Sequence, residues 1–295
     1  MAGMSESAWE ELVMEELGEL AWEPKDGKQI APGSGERESW SELIIPRRLR
    51  EAIMAINPAL PPSAVEDAVQ IVLTATSRDA RAENLRMHEF LTRGIRAVTY
   101  TDKYGAMQNP TIRLIDLRDP EKNDFMVAHQ VRVVEGEHRR RFDVVAYVNG
   151  LPLGFVELKK STADGSALKD AHAQLRTYVD ELPLAFRCNE VCVVSDGPGA
   201  LCGTAFTPFE HFAPWSVDDD GHPVKQPAVR DVDQPIMLLL HGMFPHARFL
   251  DLVTGYIAFA RTDGGLLKRL AKPHQYFAVA EAVGKTIEAV RGDGR

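Results

Sequence analysis

In the stretch RRFDVVAYVNGLPLGFVELKK, Arg140 to Lys160, charged side chains stand where the pattern calls for apolar ones. Val144, Val145, Ala146, Tyr147 and Val148 before Asn149-Gly150, and Leu153, Phe155 and Val156 after it, read as two strands covered on both faces. Asn149-Gly150 itself is a strong hairpin signal. Asp143, Glu157 and Lys159 interrupt the apolar walls, and burying a charge is costly unless it is paired or binds a metal. Two carboxylates held close together repel, which a divalent cation relieves. Hard oxygen ligands suit Mg²⁺, with the Leu158 carbonyl and water filling further positions. Such an ion polarises a phosphate ester and lowers the pKa of a bound water. Lys159 can orient or help deprotonate that water and offset charge developing on phosphorus. The chemistry implied is phosphodiester hydrolysis.

Register decides whether the three side chains meet, because a slip of one residue sends a side chain to the other face of the sheet. A two-residue turn at Asn149-Gly150 pairs Val148 with Leu151 and sets Asp143 opposite Val156, which disperses the site. A three-residue loop of Asn149, Gly150 and Leu151, or an equivalent bulge, sets Asp143 opposite Glu157 with Lys159 on the same face; this second register is the one expected. By itself the triplet is equally compatible with an ordinary Glu157–Lys159 ion pair at a strand end and an Asp143 bonded to a turn. In the next segment, SALKDAHAQLRTYVDEL, Gln174 and Tyr178 share one helical face beside the apolar stripe of Leu168, Ala171, Leu175 and Leu182. There they either reach the site or a nucleic-acid backbone, or are a wet-face Gln and a Tyr covering the edge of the core.

The elements that must position these residues follow from periodicity. Trp9, Leu12, Val13, Leu17 and Leu20 have helical spacing over Ala8 to Leu20, followed by a Gly-, Pro- and Lys-rich loop from Gly27 to Gly35. Helices are expected over Ile45 to Ala55, Pro62 to Thr74 with Ser63 near its start, and Glu83 to Gly94. Strands are expected over Thr111 to Asp116, Phe125 to Val134, Arg141 to Val148 and Leu153 to Lys159. A helix from Asp164 or Ser166 to about Glu181 and an apolar strand from Glu190 to Ser195 complete an α/β core. Asp218 to Asp233 reads as an acidic surface loop, Phe249 to Ala258 as helix, and Thr262 to Gly265 as a hinge before a helical segment from Pro273 to Val290. Two domains are expected, residues 1–262 as the catalytic unit and 263–295 as a helical lead-in.

Composition narrows the class. The 295-residue chain is 44% hydrophobic and 26% charged, ordinary for a globular protein. Its N-terminus is acidic and amphipathic and its longest apolar run, Ile236 to Leu240, is too short to span a bilayer, so a cytoplasmic location is expected. Three cysteines without C-x-x-C spacing and nine scattered histidines argue against a zinc site or a disulfide framework. The net charge of −9 weighs against a freestanding DNA-binding domain. Two features answer it: charge can be uneven, as in the run Arg139-Arg140-Arg141, and a larger assembly can supply the grip on DNA.

Taken in order, Phe142-Asp143-Val144-Val145, the NGLPL turn at Asn149 to Leu153, Glu157-Leu158-Lys159, Gln174-x-x-x-Tyr178 and Ser195-Asp196-Gly197 form a set, with NDF at Asn123 to Phe125 and NLRMHEFLTRGI from Asn84 to Ile95. The set resembles the N-terminal endonuclease region of the restriction subunit of type I restriction–modification enzymes. The resemblance covers most of the chain. It implies a restriction-endonuclease-like core with a mixed central β-sheet flanked by helices, of the P-D…(D/E)-x-K type. Asp143, Glu157 and Lys159 then take the metal and catalytic positions, and Gln174 and Tyr178 match a motif shared with RecB-type nucleases. Phe142 stands where the motif name has proline. An acidic residue of the first helix often joins such sites; Glu10 is the candidate, and Glu6, Glu11, Glu15 and Glu16 fit almost as well.

The same resemblance implies Mg²⁺ as cofactor. As partners it implies DNA, the modification and specificity subunits, and an ATP-driven motor that follows in full-length members and is absent from this sequence. Ala271 to Val290 resembles the approach to that motor, with Gln275 as a candidate adenine-recognition residue. Gly284-Lys285-Thr286 superficially resembles a phosphate loop, but Val279 occupies the position of the first glycine, so ATP hydrolysis is not expected of this chain. Two other readings remain: a nuclease-fold module that binds DNA or docks subunits without cutting, and an unrelated phosphohydrolase of small substrates. The last predicts a closed pocket rather than an open, arginine-lined groove.

Overall fold

The fold was analysed in a computed structural model that describes residues 5–162, 164–224, 234–263 and 265–292. In chain order the elements are α1 (Glu6–Glu19), β1 (Glu23–Asp26), α2 (Pro46–Ile56), α3 (Pro62–Leu73), α4 (Ala80–Arg93) and a two-strand ribbon of β2 (Tyr100–Thr101) and β3 (Met107–Gln108). Then come β4 (Phe125–Glu135), β5 (His138–Val148), β6 (Leu151–Leu158), α5 (Ala167–Glu181), β7 (Val191–Ser195) and β8 (Ala200–Gly203). The C-terminal part holds α6 (Gln234–Met243), α7 (His246–Gly255), β9 (Ile257–Thr262), β10 (Gly265–Leu270) and α8 (Pro273–Gly292). Strands β1-β4-β5-β6-β7-β8 form one six-stranded sheet in that order. It is mixed: β1 runs parallel to β4 and β6 parallel to β7, and the other neighbours are antiparallel. Helix α5 makes the crossover that a parallel β6–β7 pair requires. The chain is therefore α/β, as expected, with a mixed sheet flanked by helices.

Both faces of the sheet are covered, which explains the near-continuous apolar runs. One face packs Val144, Ala146, Val148 and Val156 against α1, α2, α6 and α7 through Trp9, Leu49, Leu239 and Phe249. The other packs Val145, Tyr147, Phe155 and Val194 against α5 through Ala171, Leu175 and Val179. The β5–β6 connection combines the two alternatives that the sequence left. Asn149 (φ 53°) and Gly150 (φ 75°) make a two-residue turn and Val148 pairs with Leu151. A bulge then leaves Leu153 unpaired, between Tyr147↔Pro152 and Ala146↔Gly154, so that Val144 meets Val156 and the register runs on to Asp143 opposite Glu157.

Several expectations fail for identifiable reasons. Residues Thr111 to Asp116 form no strand beyond a single bridge from Ile112 to Ile95. Asparagines take the place of a partner strand: Asn57 binds both backbone groups of Arg113, Asn149 donates to Leu114 O, and Asn123 accepts from Asp116 N. The helix expected over Phe249 to Ala258 stops at Gly255, and Ile257 begins a strand. Thr262 and Gly265 are not a hinge but pair across the β9–β10 hairpin. The second strand of this hairpin returns to the core: Lys268, 1% exposed, donates to Glu190 (2.5 Å), Asn84 (2.8 Å) and the Asn189 carbonyl (2.8 Å). Strand β1, paired with β4, was not foreseen, being short and polar. The segment Asp218 to Asp233 runs mostly outside the described residues.

Gly197 locks α1 onto the sheet. Its φ of +90° disfavours any side chain, and a Cβ there would lie 1.9 Å from the Trp9 ring. Gly197→Ala is therefore expected to lower stability by roughly 3 kcal/mol from strain and overpacking together. Urea unfolding followed by tryptophan fluorescence checks this; a change below about 1 kcal/mol would mean that α1 seats independently of the β7–β8 turn.

Candidate functional site

Asp143 on β5 and Glu157 on β6 lie side by side on the α5 face of the sheet, 9% and 1% exposed. Asp143 Oδ2 accepts a hydrogen bond from the Leu158 N–H at 2.8 Å, which stitches the two strands where their backbone pairing ends. Glu157 Oε1 accepts from Lys159 Nζ at 3.2 Å and from the Gln174 amide. Lys159 Nζ also lies 3.2 Å from the Leu158 carbonyl. The second Glu157 oxygen, Oε2, is buried and has no hydrogen-bond partner among the described residues. Helix α5 thus brings Gln174 to the site, and Gln174 also donates to the Tyr178 hydroxyl at 2.7 Å. The same-face spacing of these two residues puts Gln174 in contact with Glu157 and links Tyr178 to it through Gln174.

The electrostatics follow from burial. Desolvation raises the Asp143 carboxyl to about 6, against the pull of the Leu158 N–H and Lys159, with Glu10 and Glu6 adding a smaller push upward. Desolvation and then the neighbouring Asp143 charge hold Glu157 well above the ordinary carboxylate range. Desolvation, and next the Glu157 and Asp143 charges, push the Tyr178 phenol up to about 12, so it remains a proton donor at neutral pH. Its oxygen accepts from Gln174, which leaves its own O–H proton available.

Glu10, the candidate acidic residue of α1, reaches β4. It is buried, and its Oε2 accepts from Gln130 and lies 3.8 Å from His129 Nδ1. Glu11 and Glu15 are exposed, Glu16 pairs with His241 at 2.8 Å, and Glu6 accepts from Lys160 N at 3.3 Å. Gln130 and His129 were missed from sequence. Gln130 occupies the left-handed region (φ 57°) in mid-strand and is skipped in the β4–β5 register, where it would face Asp143. A non-glycine residue held there marks a place where tertiary structure overrides local preference. Nothing in the run HQVRVV announces it.

Other candidates go elsewhere. Arg140 is held by Glu181 at 2.5 Å with its guanidinium 5.9 Å from the Tyr178 ring, so the arginine run is only partly free. Gln275 accepts from Lys272 N at the start of α8. Gly284, Lys285 and Thr286 lie within α8, where Lys285 pairs with Glu281 at 2.5 Å. Cys188, Cys192 and Cys202 are buried free thiols.

A buried carboxylate with an orphaned oxygen beside a second carboxylate suits a divalent cation with oxygen ligands, so the donor set fits Mg²⁺. Asp143, Glu157 and the Leu158 carbonyl would hold it, with Glu10 nearby on α1.

Known proteins carry the same segment. A family model described as type I restriction enzyme R protein N terminus matches residues 3–211. The chain is 32% identical over 298 residues to the type I restriction enzyme HindI endonuclease subunit of Haemophilus influenzae, covering 99% of this chain and 28% of that protein. A Methanocaldococcus jannaschii protein is 27% identical over 301 residues, again 28% of its length. The Escherichia coli type I restriction enzyme EcoprrI endonuclease subunit is 39% identical over 77 residues, 26% of this chain and 23% of that protein. The chain thus spans little more than a quarter of the curated relatives that it matches end to end.

The raised carboxyl pKa values carry a sign. Between the unfolded value near 3.8 and the folded value of about 6, folded Asp143 holds more proton than the unfolded chain, so stability falls as pH rises through that window. Asp143→Asn keeps an acceptor for the Leu158 N–H and removes the charge. In a chelating buffer it should be more stable than the parent chain by roughly 2 kcal/mol at about pH 8, and the gain should vanish near about pH 4. Denaturant unfolding at both pH values tests this, and a variant less stable at the higher pH would contradict the electrostatic account.

Proposed function

Because the chain belongs to the family of type I restriction enzyme R protein N termini, we propose that its Asp143–Glu157–Lys159 site is a Mg²⁺-dependent endonuclease centre that hydrolyses DNA phosphodiester bonds. The observation that carries this is the buried Glu157 carboxylate, with one oxygen committed to Lys159 and Gln174 and the other free beside Asp143. When bound, Mg²⁺ would supply Lewis-acid polarisation of the scissile phosphate and acidify an attacking water.

The chain's own residues do the rest. Asp143 and Glu157 supply oxygen ligands, and their placement on two neighbouring strands fixes the spacing between them. Lys159, tethered to Glu157 Oε1 and the Leu158 carbonyl, holds a positive charge where negative charge grows on the phosphate, and can orient the attacking water. Gln174 fixes the Glu157 rotamer, so that its free oxygen keeps one direction. Tyr178, protonated and with its O–H uncommitted, can donate to a phosphate oxygen or a water. Glu10 is the added acidic group from α1.

The sequence to be cut is not encoded in this site. We propose that the remainder of a longer polypeptide, with an ATP-driven motor, and the modification and specificity subunits deliver DNA to it. The chain's net charge of −9 supports that dependence, and it equally favours a second reading, a nuclease-fold module that does not cut by itself.

The test is cleavage of supercoiled and linear duplex DNA with Mg²⁺ and without ATP. Asp143→Ala and Glu157→Ala are each expected to reduce cleavage at least about 100-fold while the fold is retained. Lys159→Ala should lose turnover by about as much but keep Mg²⁺ binding by calorimetry. Cleavage at the parental rate by either carboxylate variant would sink the proposal. Mg²⁺ binding that depends on Glu157, without cleavage, would select the second reading. For the helix, Gln174→Ala and Tyr178→Ala should slow cleavage by about 10-fold or more with stability changed by less than about 1 kcal/mol. Undiminished rates in both would return the pair to a packing role.

A further inference from the structure

Helix α5 has a second working face. Arg176 lies about 200° around the helix from Gln174, and with Val179, Asp180 and Pro183 it lines an open cleft of about 920 Å³ bounded also by the start of α4 and by the β9–β10 hairpin. Five arginines line this cleft: Arg78, Arg81, Arg86, Arg176 and Arg261. Arg86 is committed to Glu83 at 2.6 Å. None of the other four has a carboxylate partner among the described residues.

Two of the four are fixed in place. Arg81 Nη1 donates to the Leu266 carbonyl at 3.0 Å, with its guanidinium 5.5 Å from the Phe206 ring. Arg176 Nη1 donates to the Ala205 carbonyl at 2.9 Å. Each uses one N–H on a backbone oxygen and has others to spare, so part of the cost of ordering a long side chain is already met. Arg78 and Arg261 are exposed at the rim. Of the three carboxylates in the lining, Asp79 caps α4 through the Arg81 and Ala82 N–H groups and Glu89 faces Arg93 at 3.4 Å, which leaves Asp180. In a chain of net charge −9, four unpaired guanidinium groups around one cleft call for an anionic occupant.

We propose that this cleft binds the phosphodiester backbone of DNA, a few nucleotides from the bond that the Glu157 site would cut. The identity of the occupant rests on the endonuclease reading; the anionic character of the occupant does not. The arginines come from α4 and the turn before it, from α5 and from β9, an arrangement that suits repeated phosphates better than a single anion. The two faces of α5 lie one helix diameter apart, about 10–12 Å, so a strand passing around the helix follows half its circumference, roughly 16–19 Å or about five rises of roughly 3.4 Å. A strand with its scissile phosphate at Lys159 therefore has further phosphates within reach of Arg176.

The experiment is fluorescence anisotropy of a labelled duplex with the full chain in a chelating buffer, across a salt series. Arg78→Gln/Arg261→Gln changes only rim side chains and is checked for folding by circular dichroism. Its dissociation constant should rise about 10-fold at low salt, and the slope of log affinity against log salt should shrink by nearly 2, about 0.9 for each phosphate that is no longer neutralised. Lys103→Gln/Arg118→Gln, exposed and away from the cleft, should change neither. Unchanged affinity and slope in the rim variant would overturn the proposal, as would no binding by the parental chain at low salt, or displacement by polyglutamate at lower charge concentration than by unlabelled duplex. The binding readout is independent of cutting. A chain that binds through these arginines but never cleaves leaves the cleft standing and defeats the nuclease reading alone. Glu157-dependent cleavage that the rim variant matches in both rate and binding does the reverse.

Discussion

Glu157 is almost completely sealed into a sheet that is covered on both faces, with Asp143 as its neighbour. Taking one carboxylate out of water costs several kcal/mol, and a second beside it adds repulsion, yet Lys159 and Gln174 satisfy a single oxygen. The strands cannot move apart to relieve this, because Phe142 and Phe155 on the α5 side and Trp9, Phe249 and Val253 on the other clamp them. The rest of the fold supplies the stability that such an arrangement consumes. A rigid scaffold that keeps two carboxylates close is also what a cation site needs, since the ligands then require no reorganisation on binding.

Holding both carboxylates on one face sets strand geometry against strand regularity. A two-residue turn alone would place Asp143 and Glu157 out of step, and the unpaired Leu153 restores their alignment. On the other side of β5, alternation breaks again. Met126 and Ala128 precede Gln130 on the α5 side, and Val131 and Val133 follow it there, so the strand changes parity at the residue with φ 57°. Phe142 likewise joins the α5 side although Val145 and Tyr147 share it. Both irregularities flank Asp143. The Gln130 distortion also aims its amide at Glu10, linking α1 to the same site.

Helix α5 works on both of its sides, toward Glu157 through Gln174 and Tyr178 and toward the arginine cleft through Arg176. The hairpin that forms the far wall of the cleft is pinned by Lys268. Burial pushes this ammonium down, opposed by its contact with Glu190, and a paired charge in this place fixes the direction of the hairpin more than it adds to stability. The β9–β10 hairpin is thus tied to the core through side chains that are far apart in sequence.

The order of residues was enough to establish that the chain is α/β, where α1 to α5 and β4 to β7 run to within a few residues, and that Asp143, Glu157 and Lys159 interrupt buried strands. These are local properties, since periodicity and misplaced charge are visible within a short window. The family resemblance was legible there too, because it concerns order along the chain rather than geometry. Whatever depends on partners distant in sequence had to wait for the folded chain. A bulge rather than a longer loop sets the register, because β6 must also pair with β7. Asparagines 57, 123 and 149 hold residues 111 to 116 in place of a strand. That Glu10 is buried while Glu11 and Glu15 are exposed follows from the packing of Trp9 and Val13, which turns one face of α1 into the sheet. Gln130 has no signal at all in sequence, because its strain is imposed by the contacts around it and not by its own preferences.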